Sequence, residues 1–214
     1  MANTVQTQSS ATFLDIIEVS EWLQFPTPPT GSQAAMLQRV IDMACSWCTT
    51  YLNRPIAPTQ YFERHDGWSG DTIMLRHYPF VQLINAIEWQ SSGGPVQLLE
   101  STPANPIDGI QINYATSQLT RTFAGYSWPR PFFPGSRNVE IVYLAGFSPI
   151  PPEIWIGAAE LVGYWWKNTQ QASRTIQRAS EYDQVQETSN DGLWEGVPYR
   201  ITGLLDQYKK IAIG

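Results

Sequence analysis

Apolar residues first recur at helical spacing over Asp15–Leu23, which predicts a short helix. Phe25-Pro26-Thr27-Pro28-Pro29 stops it, because proline has no amide proton and restricts the residue before it. A second helix is expected from Gln33 to Leu52, with Ser32 available as its cap. Leu37, Val40, Ile41, Ala44, Cys48, Tyr51 and Leu52 fall on one face of it, the stripe of a helix laid on a core. From Gln60 to Phe147 the period changes to alternation and β-branched runs: Tyr61–Arg64, Thr72–Leu75, Val81–Trp89, Ile110–Ile112 and Val139–Tyr143. Asp66-Gly67, Ser91-Ser92-Gly93-Gly94 and Pro134-Gly135-Ser136 between them are turn chemistry. A third helix starts at Glu153 after Pro151-Pro152, proline being tolerated in a first turn. Its run Ile154–Trp166 is apolar on nearly every side and leaves no face for water, so it must pack on its own fold and on something else.

The pattern reads as an α+β chain, a small helical bundle with a β-rich insertion between its second and third helices. The expected parts are a flexible amino-terminal arm (1–12), a helical core (13–55, 148–172 and 197–214), the insertion (56–147) and an acidic polar loop (173–196). A length of 214 residues fits one domain, or one domain carrying a large insertion.

Composition narrows the function classes. Charged residues are only 15% of the chain, against about a quarter in ordinary soluble proteins, while nine Trp, ten Tyr and eight Phe accompany 43% apolar residues. That excludes disorder over most of the length and points to surface covered by another chain. The net charge of −6 and the lack of any basic cluster beyond Lys209-Lys210 argue against a grip on nucleic-acid phosphates. No basic amino-terminal stretch precedes an apolar one, and Ile154–Trp166 falls short of the roughly 20 residues a membrane span needs, so cytoplasmic origin without a membrane partner is expected.

Candidate chemistry is sparse. Cys45-Ser46-Trp47-Cys48 has redox spacing but lies inside the second helix, where two small core residues are the better reading. His65 and His77 sit near strand ends without a catalytic or metal-binding motif and read as structural hydrogen-bonding groups. Glu63 with Asp66 is a carboxylate pair of the kind surface turns supply. Gly93-Gly94-Pro95 is a turn, since no Lys-Ser/Thr follows as in a phosphate loop. No catalytic constellation, cofactor site or metal site emerges.

The order of elements carries a resemblance. A helix ends in Tyr51-Leu52-Asn53-Arg54-Pro55. After the insertion come Val139-Glu140-Ile141-Val142-Tyr143-Leu144-Ala145-Gly146-Phe147 and Ile150-Pro151-Pro152-Glu153-Ile154, then Tyr164-Trp165-Trp166-Lys167-Asn168. Leu75-Arg76-His77-Tyr78-Pro79-Phe80 and the closing Pro198 to Tyr208 segment complete it. Together these resemble the head–tail connector (adaptor, head-completion) family of tailed bacteriophages over about residues 14–210. The acidic stretch 173–195 is longer than the connection usual in that family.

The resemblance implies a non-enzymatic virion protein of the neck between capsid and tail, assembled in the bacterial host cytoplasm. It implies a homo-oligomeric ring, typically of about twelve copies, docked beneath the portal protein, with the next tail or neck protein on its other side. Double-stranded DNA would pass through its channel without specific binding. On that reading the candidate portal contacts are Tyr199, Arg200, Tyr208, Lys209, Lys210 and Ile211, an interface-type mixture of tyrosine and basic residues. Candidate subunit contacts are Trp155, Gly157, Gly163, Trp165 and Trp166, and Glu181, Asp183, Glu187, Asp191 and Glu195 are expected on the channel or rim. The rival class is an aromatic-rich carbohydrate-binding or tail-associated module, which predicts a glycan-binding monomer.

Overall fold

The structure, a computed structural model, describes residues 12–91, 93–123, 126–178, 193–194 and 197–209. The chain is α+β and divides into two compact units, one holding residues 54–149 and the other 12–53 with 150–214.

The first unit is built from nine strands among the described residues: β1 (Thr59–His65), β2 (Thr72–Met74), β3 (Phe80–Gln90), β4 (Gly94–Gln97), β5 (Leu99–Glu100), β6 (Gly109–Asn113), β7 (Gln118–Phe123), β8 (Tyr126–Pro129) and β9 (Val139–Ala145). One sheet runs β1-β9-β3-β4; the other runs β2-β7-β6-β5, with β8 added to β7. The β9 register, Tyr61 opposite Tyr143 and Ala86 opposite Ile141, brings alternate residues of three strands to one face. Val139, Ile141, Tyr143 and Ala145 are thereby buried on β9, and with Phe80, Ile110, Leu119 and Phe132 they form a core fed by both sheets. β3 and β4 pair antiparallel on either side of the stretch expected as a turn, with Gln90 opposite Gly94.

In the second unit α1 (Ile16–Trp22) is capped by Asp15, whose carboxylate accepts the Ile17 N–H at 2.7 Å. The second helix, α2 (Gly31–Leu52), begins earlier than the spacing predicts, with Thr30 rather than Ser32 at its cap position, and ends at Asn53 in the left-handed conformation (φ 52°). Its buried face is Leu37, Val40, Ile41, Ala44, Cys45, Cys48 and Leu52, the predicted stripe with Cys45 added and Tyr51 only half-buried. The third, α3 (Pro152–Arg178), continues into the stretch expected as an acidic loop. Beyond it β10 (Leu193–Trp194) pairs with β11 (Val197–Pro198), and α4 (Tyr199–Leu205) closes the unit with a 3-10 turn over Asp206–Tyr208.

Two sequence expectations need correction. A small bundle carrying a β insertion understates the β component, because four strands escape the hydrophobic pattern: β4, β5, β7 and β8. In β7 the inward positions are Leu119 and Arg121, and a buried arginine erases the alternation that would reveal a strand. Glu63 is also no surface-turn carboxylate; it points inward from β1 at 1% exposure.

Candidate assembly surfaces

No group of three or more His, Cys, Asp or Glu among the described residues could hold a metal ion, and no described helix is long and apolar enough to cross a membrane. The chemistry-bearing residues of the sequence serve structure. Cys45 and Cys48 are free thiols in the core of the helical unit, and burial, reinforced by Cys45, pushes the Cys48 thiol up to about 12. His77 stacks on Tyr61 at 3.8 Å, and its backbone N–H donates to the Tyr143 hydroxyl at 3.1 Å. That hydroxyl donates to Glu63 Oε1 at 2.5 Å, while His65 Nε2 meets Glu63 Oε2 at 2.8 Å and the Arg76 N–H donates to Oε1 at 3.2 Å. Burial pushes the Glu63 carboxyl up, but the His65, Tyr143 and Arg76 hydrogen bonds outweigh it and hold the group below its ordinary value.

A second buried cluster closes the same unit. Arg121, 2% exposed, donates to Asp108 and to the carbonyls of Gly109 and Thr122 at 3.0 Å each, and lies 3.7 Å from the buried Glu88. Glu88 in turn accepts the Phe133 N–H at 2.7 Å and Gln90 Nε2 at 3.0 Å. These clusters pin loops to sheets.

The helical unit carries the predicted contact residues. On α3 the residues Ile154, Ala158, Leu161 and Val162 are completely buried within the chain itself. Trp155 is half-buried and meets Trp22 edge-on at 5.6 Å; Trp166 is buried against Phe25 at 5.7 Å; Trp165 is half-buried. The two glycines allow close approach inside the chain: a Cβ at Gly157 would lie 3.2 Å from Leu205, and one at Gly163 would lie 3.0 Å from Leu23. The run Ile154–Trp166, expected to offer water no face, is therefore largely covered by α2, α4 and the end of α1, leaving Trp155, Ile156, Tyr164 and Trp165 half-covered.

The closing segment is tied down by side chains far apart in sequence. Arg200 Nη2 pairs with Glu160 at 2.8 Å, the Tyr208 hydroxyl donates to Glu153 at 2.9 Å, and the Tyr51 hydroxyl donates to Asp206 at 2.5 Å. Lys209 lies over the Tyr51 ring, 4.2 Å from its centroid, and Tyr51 stacks on Trp47. Burial first, then the Asp206 hydrogen bond, push the Tyr51 phenol up to about 12. Tyr199 is 58% exposed, and Arg200 is exposed while paired with Glu160. Lys210 and Ile211, with Glu181, Asp183, Glu187, Asp191 and Glu195, lie outside the described residues, as does most of the 1–12 arm.

Between the carboxyl end of α1, the middle of α3 and the start of α4 opens a cleft of 540 Å³. Its floor is Ala159, Gly163 and Ile201, its aromatic walls are Trp22 and Tyr164, and Glu160, Lys167 and Arg200 stand at its rim. Sequence reasoning missed it because the cleft joins three segments that no single periodicity connects.

A family model described as head completion protein matches residues 13–211. No curated protein matches the chain. Among solved structures it is similar to a chain in the neck of an empty gene transfer agent (GTA) particle computed with C6 symmetry, at TM-score 0.59 and 14% identity. It is also similar to one in the neck of the native GTA particle computed with C12 symmetry (0.56, 13%) and to one in the native GTA virion (0.57, 15%). In each case the likeness covers 100% of this chain and 97% of the other.

Proposed function

The chain belongs to the head completion protein family, and from that premise we propose that it is a non-enzymatic structural subunit of a virion neck, joining a filled head to its tail. The match over residues 13–211 carries the reading, since it takes in both units. The neck similarity at C12 symmetry supports a ring of twelve copies. In that ring the helical unit serves as the connector bundle. Tyr199, Arg200, Tyr208, Lys209, Lys210 and Ile211 form the portal side, and the half-covered Trp155 and Trp165, with Trp166, Gly157 and Gly163 behind them, form the subunit contact.

The opposite side receives the next tail or neck protein. A net charge of −6 suits a channel that passes duplex DNA without holding it, and Glu181, Asp183, Glu187, Asp191 and Glu195 belong on that channel or its rim. Electron-microscopy class averages of the full chain mixed with the portal protein of the same genome test the reading. A ring stacked coaxially on the portal is the expected result. A monomer that ignores the portal and binds glycan would replace it with the carbohydrate-binding alternative.

A further inference from the structure

The most exposed large apolar side chain among the described residues is Trp68, at 73%, in the 3-10 turn Gly67–Ser69. An exposed tryptophan on a loose loop would need no account, but this turn is braced. The Gly67 N–H is shared between the Gly135 carbonyl at 2.9 Å and Asn138 Oδ1 at 2.8 Å. Asn138, itself buried, donates to the carbonyls of Phe133 at 2.7 Å and Trp89 at 3.4 Å. Asp66 Oδ1 accepts the Arg137 N–H at 2.5 Å and the Ser136 hydroxyl at 3.1 Å. Position 67 tolerates only glycine, because a Cβ there would fall 1.9 Å from the Phe133 carbonyl oxygen. The turn thus fixes the backbone that presents an exposed indole, so the backbone share of the ordering cost of binding is already met by folding.

The cleft of the helical unit has the complementary form. It is roomy enough for an indole, floored by apolar residues and walled by Trp22 and Tyr164, against which an aromatic ring can stack. Charge agrees as well. Asp66 and Asp71 flank the Trp68 turn with Arg137 beside Asp66, a balance of one negative charge. At the cleft rim Glu160 is engaged by Arg200, and Lys167, which makes no ion pair among the described residues, supplies one positive charge. A ring closed by rotation requires two different patches on each subunit, each fitting the other on the next copy.

We propose that the Trp68 turn of one copy seats in the α1–α3–α4 cleft of the next, which makes it a ring-closing contact. This inference rests on the ring reading and adds which surfaces meet. Mixing full-length W68C with full-length K167C and oxidising in the presence of portal tests it, because the native thiols are buried and a disulfide between the two variants can form only between copies. A covalent dimer from the mixture, absent from either variant alone, is the expected result. W68A, exposed and therefore neutral for folding, is expected to lower the ring fraction at least tenfold with an unchanged melting curve. D71K is expected to weaken rings and K167D to restore them. Rings seen by microscopy without the mixed dimer, and with W68A assembling normally, would overturn the contact while leaving the ring reading intact. Absence of any ring for the unaltered chain would overturn both.

Discussion

The two units solve the problem of burying polar groups in opposite ways. The β unit takes charges into its interior: Glu63, Glu88 and Arg121 are each no more than 2% exposed, and each is held by several hydrogen bonds. The helical unit takes no charged side chain into its core among the described residues, with Leu37, Ile41, Ile154 and Leu161 fully buried, and its Arg200–Glu160 pair and tyrosine–carboxylate bonds lie at the edge. A buried charged network is expensive to break, because the surviving partners are left uncompensated. Surface bonds cost little to lose, because water replaces them. The comparison separates a rigid platform from a surface whose contacts can be exchanged for those of another protein.

The sharpest way to break that comparison is Arg121→Met. It removes the partner of Glu88 and Asp108 and strands Glu88 at 2% exposure. We expect a loss of about 3 kcal/mol in denaturant unfolding. A loss under about 1 kcal/mol would mean that the cluster contributes no more than a surface pair does.

Next in size is a packing change in the helical unit. Gly163→Val places a branched side chain where a single Cβ already lies 3.0 Å from Leu23. The expected cost is about 2 kcal/mol by thermal unfolding, since inserted methyl groups force the α1 contact apart. A neutral result would show α1 to be loosely seated and would blunt the claim of a tightly packed apolar core.

How much of this was legible in sequence follows the same divide. The α2 stripe, the stop at Asn53 and the β9 alternation were readable because each buries apolar atoms at a fixed period. The interior of the β unit was not. Glu63 alternates correctly with Tyr61 on β1, but a carboxylate at an inward position reads as surface until Tyr143 and His65 are brought to it from afar. The parallel pairing of β5 with β6 carries no hairpin signal, because a tight turn joins only antiparallel strands. On α3 the apolar run was visible, while the identity of what covers it depended on α1 and α4. The exposed Trp68 was visible only as one tryptophan among nine.

A third test uses acid. The folded state holds the Glu63 carboxyl below its ordinary value of 4.5, so folding favours the charged form. Its contribution is full above about pH 4.5 and is lost as pH falls from there through the folded value. Glu63→Gln is expected to cost about 1 kcal/mol at neutral pH and to flatten the acid limb of the stability profile. An acid limb unchanged by the substitution would assign the acid sensitivity to other carboxylates.

The smallest expected effect is the most informative about the edge of the helical unit. Tyr208→Phe removes one hydroxyl whose hydrogen bond to Glu153 joins residues 55 apart in sequence. Tyr208 is half-buried and Glu153 is near water, so the carboxylate is rehydrated rather than stranded. The loss should be about 0.5 kcal/mol, close to the limit of denaturant titration. Hydrogen exchange reads it more directly, as faster exchange confined to α4 and the 3-10 turn with α3 unchanged. Removing the equivalent bond at Tyr51 by Tyr51→Phe should loosen the same turn from its other side, and because the two bonds hold one short segment their effects should add to more than their sum. Strict additivity would mean that the two bonds act independently, whereas no effect of either substitution would mean that the closing segment is held by its buried Ile201 and Leu205 alone, with its polar edge free for a partner to capture.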